Sequence, residues 1–170
     1  MNFYETFLKT SPMFRSTAIV SSLDYLEPHM RTALQNLLED AAAQGHPLLV
    51  FETYRSQERQ EQLFAHGATQ LKTVGCHHYG IAADIVKNVG GQPSWKGDFS
   101  FMLPLARKHG LISGIDWGQP HNGHHPGFVD SGHLQRIAVR DQGQLFAGTF
   151  YPDEIYDPYK FITSPDRRIA

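Results

Sequence analysis

His77-His78-Tyr79-Gly80-Ile81-Ala82-Ala83-Asp84 is the stretch on which the fold turns, and Asp130-Ser131-Gly132-His133-Leu134-Gln135 answers it further on. Gly80 suits a tight reversal, because glycine adopts positive φ without steric cost. Beyond it, Ala82 to Val86 reads as a strand, on which Ala82 and Asp84 share one face. A loop residue, His77, and a strand residue, Asp84, can then face one point. His133, from a neighbouring strand, supplies a third donor. Two imidazoles and a carboxylate, with a spare carboxylate three residues before the last His, form the inventory of a catalytic zinc site. Such a site has three protein ligands, an open position and a general base.

Working outward, Leu26, Met30, Leu34, Leu37, Leu38 and Ala41 follow a helical stripe. Pro28 suits its first turn and Gly45 its end. Leu48-Leu49-Val50-Phe51 reads as a buried strand. Ser56 caps a second helix that runs to His66, with Gly67 as its terminator. Residues 68–76 read as loop, and Asn88 to Pro93 as a turn-rich connection. A helix is expected from Phe99 to His109, kinked or delayed by Pro104. Residues 118–127 read as an exposed loop. Two strands are expected after it, Gly132 to Val139 and Leu145 to Thr149, turning at Asp141-Gln142-Gly143. The aromatics Phe3, Tyr4, Phe7 and Phe14 of the lead-in, and Tyr151, Tyr156, Tyr159 and Phe161 of the proline-bearing tail, are expected to pack on the domain. Helices interleaved with strands, without a regular βαβ rhythm, indicate α+β with a small antiparallel sheet.

Composition narrows the function. The 170 residues fit one domain, 1–170, with a motif-bearing core of about 46–150 and packed extensions at 1–23 and 151–170. A formal charge of -2 argues against non-specific nucleic-acid binding and gives no electrostatic reason for membrane attachment. A lone cysteine, Cys76, excludes an intrachain disulfide, and a buried structural thiol is the expectation for it. The first 23 residues lack a signal-peptide pattern, and no apolar run is long enough for a membrane helix. The chain is therefore expected to be made in the cytoplasm and, if its substrate lies outside, to depend on another agent for release. Of the ten histidines, His29, His46, His66, His78 and His109 read as exposed residues of no special role. The loop histidines His121, His124 and His125 read as adventitious metal binders at most.

These residues resemble a known family. Gly75-x-His77-x-x-Gly80-x-Ala82-x-Asp84 is similar to the Ser-x-His-x-x-Gly-x-Ala-x-Asp signature of the M15 metallopeptidases, and Asp130-x-x-His133 to their second motif. Tyr54-Arg55-Ser56, Gln60, Leu63-Phe64 and Gly67 resemble the family's upstream segment. Gly110-Leu111 and Asp116-Trp117 resemble the stretch before the last motif in its endolysin-like branch. The likeness runs in order over roughly residues 48–137.

The resemblance implies the hedgehog/D-Ala-D-Ala-peptidase-like fold, a small antiparallel sheet packed against helices. It implies Zn2+ held by His77, Asp84 and His133, with Asp130 as general base. Arg55 is then the donor to the carbonyl oxygen or the anchor of a substrate carboxylate. The substrates it implies are peptidoglycan stem peptides, met by a monomer that acts on the wall after release. An L-alanyl-D-glutamate endopeptidase of endolysin type fits best. A D-Ala-D-Ala carboxypeptidase or dipeptidase, or a zinc-bearing module without catalysis, are the alternatives. Gly75 departs from the motif serine and removes a hydroxyl from the cleft.

Overall fold

The computed structural model describes residues 1–118 and 129–160. In chain order these form α1 (Phe3–Thr6), α2 (Pro28–Ala43), β1 (Leu48–Glu52), α3 (Gln57–Ala65), β2 (Ala82–Val89), β3 (Gln92–Ser94), α4 (Met102–Lys108), β4 (Ile112–Ser113), β5 (His133–Gln135) and α5 (Gln142–Phe146). The sheet runs β1-β2-β5-β4, with β3 added to β2, and every pairing is antiparallel. The fold is α+β, as expected.

The sheet has one face for the core and one for chemistry. Ala83 and Ile85 of β2 and Leu134 of β5 pack against Met30, Leu34, Leu37 and Ala41 of α2 and against Met102, Leu105 and Ala106 of α4. The buried positions of α2 recur every three or four residues, so one stripe of the helix is covered. Each strand alternates, so Ala82, Asp84, His133 and Gln135 take the opposite face. Register then aligns them: Asp84 lies across from His133, and Ala82 from Gln135.

Helix ends follow the sequence. Pro28 is the first residue of α2, Ser56 accepts a hydrogen bond from the Arg59 amide at the start of α3, and Pro104 delays α4 to Met102. The lead-in carries a short helix, α1, that the irregular reading missed. Its aromatics do pack: Phe3, Tyr4 and Phe14 cover Leu8, Val20 and Tyr54. Phe7 stacks on Phe3 at 5.1 Å while staying partly exposed. No described helix is long and apolar enough to cross a membrane.

Two expectations are corrected. β2 continues to Val89, and Gly90 and Gly91, both at positive φ, turn it into β3 where a loop was expected. The two late strands do not form as read. β5 stops at Gln135, and the chain then turns through Val139–Asp141 into α5. Leu145 is buried there against Cys76, Ile81, Ala82 and Ile137, a cluster that a helix satisfies as well as a strand. The tail to Lys160 is packed as expected. Tyr151 donates to the Tyr79 carbonyl at 2.9 Å and Tyr159 to the Leu111 carbonyl at 2.6 Å, while Phe161 lies outside the described residues.

Gly80 is the joint between the short 3-10 turn Cys76–Tyr79 and β2. It sits at φ +70°, and a Cβ there would meet the Tyr25 carbonyl oxygen at 2.8 Å. Gly80→Ala should therefore destabilise the protein by at least about 1 kcal/mol, the cost of left-handed backbone alone, before the clash is added. Chemical denaturation of the two proteins measures it; equal midpoints would show that the turn relaxes freely.

Candidate active site

Three strands converge on one carboxylate. β1 places Glu52 beside Asp84, and β5 places His133 on its other side. An irregularity in β1 makes the first alignment possible. Val50 pairs with Ile85, yet Glu52, two residues on, pairs with Asp84, one residue on. The extra residue, Phe51, bulges out. A regular register would have set Phe51 opposite Asp84.

His77, Asp84 and His133 come together. His77 Nε2 lies 3.1 Å from Asp84 Oδ1, His133 Nδ1 lies 3.2 Å from the same oxygen, and the two nitrogens are 3.3 Å apart. Among the described residues this is the group that can hold a metal ion. The fit can be tested on geometry. Zinc–nitrogen bonds of about 2.0–2.1 Å give a tetrahedron with edges of about 3.3 Å. All three observed separations match that edge.

The tautomers agree. His77 Nδ1 lies 3.1 Å from the Thr53 carbonyl oxygen, which only accepts, so Nδ1 carries the hydrogen and Nε2 presents its lone pair inward. His133 Nε2 faces the Gln135 side-chain oxygen at 3.1 Å, which turns the His133 Nδ1 lone pair inward too. Two lone pairs and a carboxylate oxygen in contact are mutually repulsive without a cation among them. The residues fit zinc.

Electrostatics around the cluster are shaped by burial and by Arg55. Burial works to raise the Asp84 pKa, but with the imidazoles of His77 and His133 protonated in place of a metal ion, their attraction and hydrogen bonds outweigh it and hold the carboxyl well below the usual range. Arg55 Nη2 grips Asp84 Oδ2 at 2.8 Å and also pairs with Glu52, leaving Oδ1 for the centre. Arg55 Nη1 donates to Gln60. Arg59 Nε pairs with the second oxygen of Glu52 at 3.1 Å. Glu52 is thus buried between two guanidinium groups.

These side chains form one end of a cavity of about 620 Å³. Asp130 lines it as well, with its carboxylate outside the ligand triangle. Backbone packing fixes Asp130: its amide donates to Gly114 O at 3.1 Å, and its carbonyl accepts from the His133 amide at 3.2 Å. A Cβ on Gly114 would fall 2.2 Å from the Asp130 carbonyl oxygen, so only glycine allows this approach. Trp117 packs on the His133 ring at 4.6 Å, and Phe51 and the exposed Trp95 meet edge to face at 4.7 Å on the cavity wall.

Some expectations fail here. His78 is buried, not exposed. Its Nδ1 donates to the Arg55 carbonyl, its Nε2 accepts from Tyr4, and burial lowers its pKa. The partner lies 74 residues away, which no local pattern reveals. His109 is paired with Asp40 at 2.7 Å, and His46 stacks on Phe101. Asp116 is buried and paired with Arg107, away from the cavity. Cys76 is buried as expected, and burial pushes its thiol up to about 12. His121, His124 and His125 lie outside the described residues, as does all but Gly118 of the loop 118–127. Sequence reading missed Glu52, Arg59, Gln135 and Gln142. The one available signal was the spacing of Glu52 and Arg59 about Arg55.

The sequence pattern of the VanY family, D-alanyl-D-alanine carboxypeptidase, matches residues 23–102, a span that holds Arg55, His77 and Asp84. Over that span the chain is similar to this family of peptidases. No curated protein sequence matches it significantly. Solved structures share the fold of this chain at low identity. Serratia marcescens L-Ala D-Glu endopeptidase ChiX aligns with TM-score 0.55 and 21% identity, over 74% of this chain and 94% of that one. VanYB in complex with D-alanine-D-alanine aligns with TM-score 0.51 and 14% identity, over 82% and 83%. A VanY D,D-pentapeptidase in complex with Zn(II) aligns with TM-score 0.50 and 17% identity, over 72% and 78%.

Two outcomes test the site. His133→Ala should strip metal from the purified protein, as read by elemental analysis; stoichiometric metal in that variant would place the centre elsewhere. Gly75 has ordinary backbone angles, φ -108° and ψ -164°, and a Cβ there meets only Leu71 Cδ1 at 3.7 Å. Gly75→Ser should therefore fold and keep its metal, while the added hydroxyl in the cavity raises turnover of stem peptides. Unchanged kinetics would show that the serine of the family motif is dispensable in this cavity.

Proposed function

We propose that the chain is a zinc-dependent endopeptidase that cuts the L-alanyl-D-glutamate bond of bacterial cell-wall stem peptides, acting on the wall after release from the cytoplasm. The observation that carries this reading is the ligand triangle of His77, Asp84 and His133 at the end of a cavity that also holds Asp130 and two guanidinium groups. Bound zinc supplies Lewis-acid polarisation of the scissile carbonyl and lowers the pKa of water toward about 7.

The chain's own residues do the rest. Asp130 accepts the proton of the attacking water and returns it to the leaving amine. Arg55, with most of its N–H donors committed to Glu52, Asp84 and Gln60, keeps Asp84 oriented and offers its remaining Nη1 hydrogen to the developing oxyanion. Arg59 uses Nε on Glu52, and the residue lines the cavity. A guanidinium fork suits a carboxylate, and D-glutamate brings one beside the scissile bond. Trp117 covers the His133 ring and limits water there.

A D-Ala-D-Ala carboxypeptidase is the second reading, because the matching family pattern carries that description. The endopeptidase reading is preferred because the match to ChiX spans almost all of that protein. Mass spectrometry of digested peptidoglycan separates them: new N-terminal D-glutamate marks the first, released D-alanine the second. Asp130→Asn should keep zinc and slow hydrolysis at least about 10²-fold, the usual scale for removing a general base. Wild-type-like rates in that variant would move the base elsewhere, and parallel loss of zinc would make Asp130 a ligand.

A further inference from the structure

We propose that Gln135 is a positioning residue that sets the tautomer of His133, and that Gln142 and the Ile137 carbonyl hold Gln135 in the orientation this requires. The proposal rests on the zinc centre described above. A backbone carbonyl oxygen only accepts hydrogen bonds, and Gln135 Nε2 donates to Ile137 O at 2.6 Å. The amide nitrogen of Gln135 is thereby committed, and its oxygen must face the other way. Gln135 Oε1 lies 3.1 Å from His133 Nε2 and 3.1 Å from Gln142 Nε2. An amide oxygen also only accepts, so both partners donate. His133 Nε2 therefore carries its hydrogen, and Nδ1 is left as a lone pair facing Asp84 and His77.

The form of His133 that can bind metal is thus dictated from the main chain at residue 137, through one buried amide. Gln135 is fully buried on the site face of β5, and Gln142 reaches it from the first turn of α5. An amide serves here better than a carboxylate. Gln135→Glu would keep an acceptor toward His133 but turn its second oxygen on the Ile137 carbonyl. The orientation of metal-ligating imidazoles by such partners is general, and loss of the partner typically weakens metal binding about 10–100-fold.

The test compares the full-length wild type with Gln135→Met and Gln135→Glu. Zinc affinity is read by chelator competition, the His133 tautomer by imidazole nitrogen NMR, and stability by thermal unfolding. In Gln135→Met zinc should bind about 10–100-fold more weakly and His133 should lose its fixed Nε2–H form. In Gln135→Glu affinity should stay within a few-fold of wild type while the unfolding midpoint falls, because the acceptor is kept and the Ile137 contact is spoiled. A packing role predicts no such crossing.

Wild-type affinity and tautomer in Gln135→Met would overturn the proposal, as would parallel loss of affinity and stability in both variants. If Gln135→Met does not fold, Gln142→Leu decides: zinc affinity should drop several-fold, and no change overturns the proposal. A wild type that takes up no zinc would remove the centre itself and this proposal with it. Failure confined to the variants leaves the centre standing.

Discussion

Two imidazole lone pairs and a carboxylate oxygen within 3.3 Å of one another repel unless a cation lies among them. The rest of the site exists to hold this arrangement. Thr53 turns His77 inward, Gln135 turns His133 inward, and Arg55 takes the far oxygen of Asp84. Each partner binds the side of the ligand away from the centre. Each also comes from a different place in the fold: the end of β1, the end of β5, and the turn before α3. Assembly of the centre therefore requires the sheet to be complete.

The charges near the centre are balanced locally. Glu52 is buried, and alone would oppose the neighbouring carboxylates. Arg55 and Arg59 flank it and return the balance, while Arg55 also bridges to Asp84. A buried carboxylate with two guanidinium partners is costly to break, since removing one partner strands the other charges. The bulge at Phe51 is the geometric condition for this network. It slides Glu52 into register with Asp84 and frees Phe51 to meet Trp95 on the cavity wall.

The order of elements was legible because local chemistry decides it. Pro28, Ser56, Gly67 and the apolar stripe of α2 carry their own signals, and the structure follows them within a residue or two. The segment after Gln135 was not legible. Leu145 satisfies a strand or a helix equally, and burial against Cys76 and Ile137 chose the helix. His78 was misread for a related reason: an imidazole that looks solvent-facing by its neighbours is buried by Tyr4 and Phe14 from the far end of the chain.

By itself the sequence determined which residues are candidates: His77, Asp84 and His133 for metal, Asp130 for a proton, Arg55 for a negative charge. Residue type and spacing suffice for the first four, because the chemistry of a ligand is intrinsic to its side chain, whereas the role of Arg55 came from the family resemblance. The tertiary structure alone decided how they act together. Strand register brought Asp84 opposite His133, a bulge brought Glu52 beside them, and carbonyl and amide partners distant in sequence or hidden in the sheet set the tautomers. Hydrogen bonds of that kind depend on distances of a few ångströms between separate elements, and those distances exist only once the chain has folded.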